Sequence, residues 1–185
     1  SLEDLLLKYQ PIQSFEPGTT TAYSNYSTGL AAYIVERISR QSFVDYAHKH
    51  IFQPLGMERT AIAQDLSDNA YVQAKRKEVK GYATDGSLLG DALYEVGLYP
   101  VGRATGTLSD LQKFAQALLS RKTLFSRLET WEKLYTGTSY YPGTDIVRNA
   151  HGFWASKFGV TVLGHGGNTN GFSSYLLLDL KDGIG

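Results

Sequence analysis

Two short segments carry residue types that can move protons and hold a carbonyl group. Tyr23-Ser24-Asn25 places a phenol, a hydroxyl and a carboxamide at consecutive positions. Gly164-His165-Gly166-Gly167-Asn168-Thr169-Asn170-Gly171-Phe172 reads as a glycine-rich turn with one histidine, set between two apolar, strand-like runs. A phenol ionises near pH ~10 in water, yet beside a cation and with little water its phenolate becomes accessible and can shuttle a proton. A carboxamide donates and accepts at once, so Asn25 could hold a substrate carbonyl. The glycines after His165 let a substrate lie against the strand backbone, with the Asn168 N–H available as a donor. Read singly, each segment has an ordinary meaning. The triplet is a turn into a helix with Tyr23 on the core, and the glycine stretch is a hairpin turn with an incidental histidine.

The other candidate residues point nowhere so specific. His48 and His50 form an H-x-H pair that a helix sends to different faces, with no H-E-x-x-H and no carboxylate partner in the sequence pattern. A zinc hydrolase built from His48, His50, His151 and His165 is the weaker alternative. Gly102, Gly106 and Gly164 do not form a dinucleotide fingerprint. The chain has no cysteine, which excludes thiolate nucleophiles, disulfides and cysteine-ligated metals. Acidic and basic residues balance at 18 each, so charge does not point to nucleic acid or an anionic membrane. Lys75-Arg76-Lys77, diluted by Glu78, reads as a solvated loop. No apolar run reaches the ~20 residues that span a bilayer.

The elements that must position these residues follow from periodicity. Residues 2–9 read as a short helix with acids in its first turn. A helix over 27–40 places Leu30, Tyr33, Ile34 and Ile38 on one stripe, expected to be buried. A second helix over 42–52 carries Phe43, Tyr46, Ala47 and Ile51 on one face and breaks at Pro54-Leu55-Gly56-Met57. Residues 60–106 read as a long, partly strand-forming loop region. Thr107-Leu108-Ser109-Asp110 resembles a capping box opening a helix to about Ser120, with Leu108, Leu111, Phe114, Ala115 and Leu118 as its core stripe. A further helix is expected over 124–135. Residues 153–156, 160–163 and 172–180 read as strands, with Asp182-Gly183 as a hairpin turn.

The order of these segments resembles the class C β-lactamase and penicillin-binding-protein-like serine hydrolases. The resemblance rests on Phe15-Glu16-Pro17-Gly18, Tyr23-Ser24-Asn25, Pro54-Leu55-Gly56-Met57-Glu58-Arg59-Thr60, Pro100 through Leu111, and Gly164-His165-Gly166-Gly167 with Gly171-Phe172. It implies an α+β fold: a partial β-lactamase/transpeptidase-like domain, mainly helical and loop over about 1–150 and sheet over about 151–185. It also implies Tyr23 as proton relay, Asn25 and His165 as the family's asparagine and third-motif residue, and Gly166, Gly167 and the Asn168 amide against the substrate. The family's Ser-x-x-Lys nucleophile is absent: no serine here has lysine at the third following position, and Thr130-Trp131-Glu132-Lys133 reads as a helix turn. The expectation is an internal piece of a longer hydrolase, truncated at both ends and inactive alone. The substrate would be a β-lactam, a D-amino-acid peptide or an ester, with no cofactor, metal or nucleic acid. The longer protein would be bacterial and extracytoplasmic, and exposed edges would favour self-association. A non-catalytic homologue that binds a peptide or cell-wall fragment is the alternative.

Overall fold

The computed structural model describes residues 1–90, 96–169 and 171–185. Three helical segments come first: α1 (Leu2–Lys8), α2 (Asn25–Ser39) and α3 (Phe43–Ala47), the last running into a π-helical turn over His48–Phe52. Ser1 and Asp4 form a capping box on α1. The expected helix over 42–52 therefore keeps its place but changes its winding half-way. Leu2 and Leu6 of α1 pack against Ala32 of α2, and Gly29 of α2 lies under Leu98. A Cβ on Gly29 would come within 2.6 Å of the Leu98 side chain. Small residues thus form the buried face of α2, where neighbours approach closely. The stripe expected to be buried is instead largely outside, with Leu30 40%, Ile34 49% and Ile38 80% exposed.

The region from 60 to 106 holds more order than its sequence suggests. Strand β1 (Thr60–Ala61) pairs antiparallel with β2 (Thr105–Gly106), and helix α4 (Ala70–Glu78) lies between them in the chain. Asn69 caps α4 by accepting from the Val72 N–H at 3.2 Å. Lys75-Arg76-Lys77 is the last turn of this helix rather than a solvated loop, and Arg76 is buried with its guanidinium over the Phe172 ring.

Helix α5 (Leu108–Ser120) is the hub of the molecule. Thr107 caps it by accepting from Asp110 N–H at 3.3 Å. The Asp110 carboxylate turns inward instead of completing a capping box: it accepts from Arg59 N–H at 2.7 Å, the Thr60 hydroxyl at 2.9 Å and Lys113 Nζ at 3.0 Å. Lys113 also donates to the Gly56 carbonyl. Burial pushes the Asp110 carboxyl up, but these donors together hold it below the ordinary carboxylate value. Phe114 packs against both the α3 core around Phe52 and Met57 and the core of Leu118, Trp131 and Leu178. Leu108, expected in the stripe, is 81% exposed. Helix α6 (Leu128–Tyr135) begins four residues later than expected and buries Trp131 against α5.

A five-stranded antiparallel sheet follows, in the sequential order β3 (Ser139–Tyr140), β4 (Val147–Ala150), β5 (Phe153–Phe158), β6 (Val160–Thr169), β7 (Phe172–Leu178). The sheet thus starts earlier than residue 151. Ala150 pairs with Phe153, and His151 and Gly152 take φ 45 and 94, a tight turn of the kind that suits hairpins. After β7 the chain folds back, with Asp179 bridging to Ile184 and Gly183 at φ 69. None of the described helices is long and apolar enough to cross a membrane.

Candidate active site

Tyr23 and Asn25 flank the start of α2. Ser24 between them is the N-cap: it has extended backbone, and its hydroxyl accepts from the Ser27 N–H at 3.1 Å. The helix therefore starts at Asn25, two residues before the sequence places it. Tyr26 anchors this start to α1 by donating its hydroxyl to the Leu6 carbonyl at 3.2 Å. Tyr23 stays 62% exposed, and Asn25 is exposed as the first helical residue.

His165, Gly166, Gly167 and Asn168 are not in a turn. They lie inside β6, which extends six residues past the strand expected over 160–163. Thr169 pairs with Phe172, and Gly171 takes φ 75 in the reversal. Asn170 falls outside the described residues. The glycines have definite tasks. A Cβ at 164 would stand 2.0 Å from the Leu176 carbonyl oxygen, and one at 166 would stand 2.9 Å from the Tyr175 ring. Their absence lets β7 and Tyr175 close against β6.

The two strands beside β6 have different reach. β7 pairs with it from Leu163 to Thr169, but β5 stops at the Trp154–Gly164 pair. From His165 onward, one edge of β6 faces no strand among the described residues. In an antiparallel ladder such an edge offers both N–H and C=O from every second residue. An extended chain can pair with it as an added strand.

Tyr23 and His165 meet here, with ring centroids 5.9 Å apart and planes tilted by 37°. His165 Nδ1 lies 2.6 Å from the Gly166 carbonyl oxygen. A carbonyl only accepts, so this contact puts a proton on Nδ1, and in the neutral tautomer Nε2 is then the acceptor. Asn168 is braced from β7, its Oδ1 accepting from the Ser173 hydroxyl at 2.8 Å across a paired position. Ser173 as a brace was not foreseen, since only strand register reveals it.

The remaining histidines lie elsewhere. His48 has a carboxylate partner after all: its Nε2 stands 2.8 Å from Asp68 Oδ2. Asp68 also accepts from the N–H groups of Ile62 and Ala63 at 2.8 and 3.1 Å. This is a brace between the π-helical turn and the loop after β1. His50 stacks on Tyr46, and His151 makes the β4–β5 turn. Among the described residues, no group of three His, Asp or Glu side chains stands close enough to hold a metal ion. Thr130 and Lys133 lie on α6, where Lys133 pairs with Glu129 at 3.3 Å.

Residues 4–185 match the family model described as Beta-lactamase. Among curated relatives, the chain is 28% identical over 189 residues to the unguisins hydrolase ungD' of Aspergillus campestris, covering 96% of this chain and 34% of that protein. It therefore spans about a third of that relative's length. Among solved structures, it superposes on the D-amino acid amidase of Ochrobactrum anthropi SV3, crystallised with L-phenylalanine amide. That match has a TM-score of 0.72 and 24% identity, over 92% of this chain and 50% of that one. A second match is the octameric penicillin-binding protein homologue of Pyrococcus abyssi, with a TM-score of 0.73 and 21% identity over 95% of this chain and 40% of that one. These likenesses establish the fold: a mixed helical and antiparallel-sheet architecture of the β-lactamase/transpeptidase type.

Proposed function

This chain belongs to the beta-lactamase family, and we propose that it supplies one wall of a serine acyl-transfer site. The observation that carries the reading is the approach of Tyr23 to His165 at the open edge of β6. In the proposed reaction a serine hydroxyl attacks the carbonyl of an amide, lactam or ester. Its proton passes to the Tyr23 oxygen as the Tyr23 hydroxyl gives its own proton to His165 Nε2, and that proton returns through Tyr23 when the tyrosine protonates the leaving group, which departs and leaves the acyl group on the serine. The Asn168 N–H donates to the oxyanion, Asn25 holds the substrate's amide, and Gly166 and Gly167 admit the substrate to the strand edge. His165 Nε2 accepts from the Tyr23 hydroxyl, and by holding that proton it lets the tyrosine oxygen act as the base. The chain has no Ser-x-x-Lys, so the nucleophile must come from outside these 185 residues.

The test uses the longer parent protein with chromogenic ester and D-amino-acid amide substrates. Tyr23→Phe should lower kcat by about 10²- to 10⁴-fold, the usual weight of a positioned proton relay, with KM nearly unchanged. Wild-type turnover in Tyr23→Phe would overturn the assignment. The 185-residue chain alone should not be labelled by a fluorescent penicillin, and stable covalent labelling would sink the division of the site. The missing Ser-x-x-Lys also supports a second reading, a non-catalytic homologue that holds a peptide or cell-wall fragment along β6. A parent that binds such a peptide without turning it over would favour that reading. The exposed Leu30, Ile34 and Ile38 stripe further supports self-association of the isolated chain. Light scattering that shows a clean monomer at high concentration would count against it. A bacterial extracytoplasmic parent remains part of the reading, and fractionation of the native host would test it.

A further inference from the structure

A cavity of about 230 Å³ lies between α4 and the β1–β2 pair. Arg59, Lys75 and Arg76 border it, and Tyr71, Val72 and Val79 give it an apolar wall. The exposed Arg59 guanidinium sits 4.8 Å over the Tyr71 ring and makes no ion pair among the described residues. Lys75 meets Glu78 at 2.6 Å, but both are more than half exposed, at 54% and 62%, so that pair is weak. Arg76 is 9% exposed and lies 4.2 Å over Phe172. Asp110 is close in the chain to this wall, but its carboxylate is committed to Arg59 N–H, Thr60 and Lys113. Among the described residues, Arg59 therefore sets an exposed cation with no carboxylate partner beside a largely apolar space.

The cavity is tied to the candidate site through Phe172. Phe172 and Leu176 are four apart on β7, so their side chains share a sheet face. His165 pairs with Leu176 and shares that face too. Four strand residues span about 13 Å. A substrate of three or four residues, extended along the open edge of β6, would bring one end from His165 to the level of Phe172, on which Arg76 of the cavity border lies.

We propose that this cavity is a subsite for a carboxylate carried on an apolar or aromatic body. Its use as the end-group pocket of a substrate rests on the acyl-transfer reading. The binding itself does not, because it needs no nucleophile. The test is a titration of the ¹⁵N-labelled 185-residue chain, followed by amide shifts, with N-acetylphenylalanine and with its uncharged amide. The acid should shift Tyr71, Val72, Val79 and Thr105, and the amide should bind at least about tenfold more weakly, the factor that ~1.4 kcal/mol confers. Arg59→Gln, a change to an exposed side chain, should weaken the acid about tenfold with the melting temperature unchanged. Equal binding of acid and amide, or no loss in Arg59→Gln, overturns the proposal. So does inorganic phosphate shifting the same residues as strongly, since that would mark a general anion patch. Failure of the Tyr23→Phe experiment would leave these outcomes untouched, so the two ideas fail separately.

Discussion

Gly164→Ala should destabilise the chain by about 3 kcal/mol, against the direction of the usual substitution. Replacing glycine by alanine normally stabilises by ~0.4–1 kcal/mol where the backbone tolerates it, because the unfolded chain loses freedom. Gly164 sits mid-strand between Trp154 of β5 and Leu177 of β7, so its backbone conformation alone would accept alanine. Space would not. The new methyl would stand 2.0 Å from the Leu176 carbonyl oxygen and 2.8 Å from Leu177 Cδ2. Relief requires β7 to move away from β6 by roughly 1 Å, since carbon and oxygen in contact stay near ~3.3 Å. Overpacking of this kind costs ~1–3 kcal/mol, and each ladder hydrogen bond weakened costs a further ~1 kcal/mol. Urea unfolding followed by circular dichroism at 25 °C measures the difference as a fall in midpoint at constant slope. The same shift would displace His165, which pairs with Leu176, so its ring signals should move in the folded mutant. A loss under ~0.5 kcal/mol, within the range of an ordinary surface change, would refute the claim that these strands close only over glycine.

Trp131→Ala should cost about 3–5 kcal/mol by urea unfolding, because Trp131 is 1% exposed, packs edge-on to Phe125 and donates its indole N–H to the Phe125 carbonyl at 3.1 Å. Asp110→Asn should cost about 2–3 kcal/mol at pH 7, the weight of hydrogen bonds to a charged group. The Asp110 carboxyl is lower folded than in the unfolded chain, so its stabilisation is complete above the unfolded value of ~3.9 and is lost as pH falls through the folded value. The gap between wild type and Asp110→Asn should therefore narrow in acid, and a gap that widens there would contradict the assignment. Asp68→Ala should cost about 2–3 kcal/mol by stranding two backbone N–H groups, and His48→Ala only about 1 kcal/mol, since Asp68 would keep Ile62 and Ala63. Equal losses in the two variants would show that the His48–Asp68 contact, not the backbone bracing, matters.

The helices with a capping hydroxyl and an apolar stripe were legible to within a few residues, as at Thr107 and Ser42. Two of the strands rich in β-branched and aromatic residues, β5 and β7, were too. Helix α4 was not, because Ala70-Tyr71-Val72-Gln73-Ala74-Lys75-Arg76-Lys77-Glu78 has no apolar stripe and its partner Phe172 lies far along the chain. The face of α2 was misjudged for a different reason. Large aliphatics signal burial on average, yet here Gly29 and Ala32 let Leu98 and α1 come close. Strand β6 was cut short because glycine argues against strand propensity, while seven consecutive cross-strand pairs with β7 override it. The candidate site was named residue by residue from motif order, but its mutual geometry was not legible. Neither the open strand edge nor the Ser173 brace can be read without register.

That geometry also explains how the candidate site can hold its shape from the sheet side. Tyr23 is exposed, and its described tie to the sheet is a ring contact at 5.9 Å, worth little while water reaches both rings. The other end of β6 is clamped more firmly. A Cβ on Gly171 would stand 2.5 Å from Gly81 Cα, so the β6–β7 reversal rests directly on the backbone after α4. Arg76 adds a desolvated cation over Phe172 beside it. Strand β6 is thus fixed at its far end and by β7 along its length, while the position of Tyr23 depends on the cap at Ser24 and the Tyr26–Leu6 bond. Any group that covered Tyr23 and His165 would dry their contact and strengthen it. The order of assembly implied is a rigid strand first and a tyrosine that tightens onto it last.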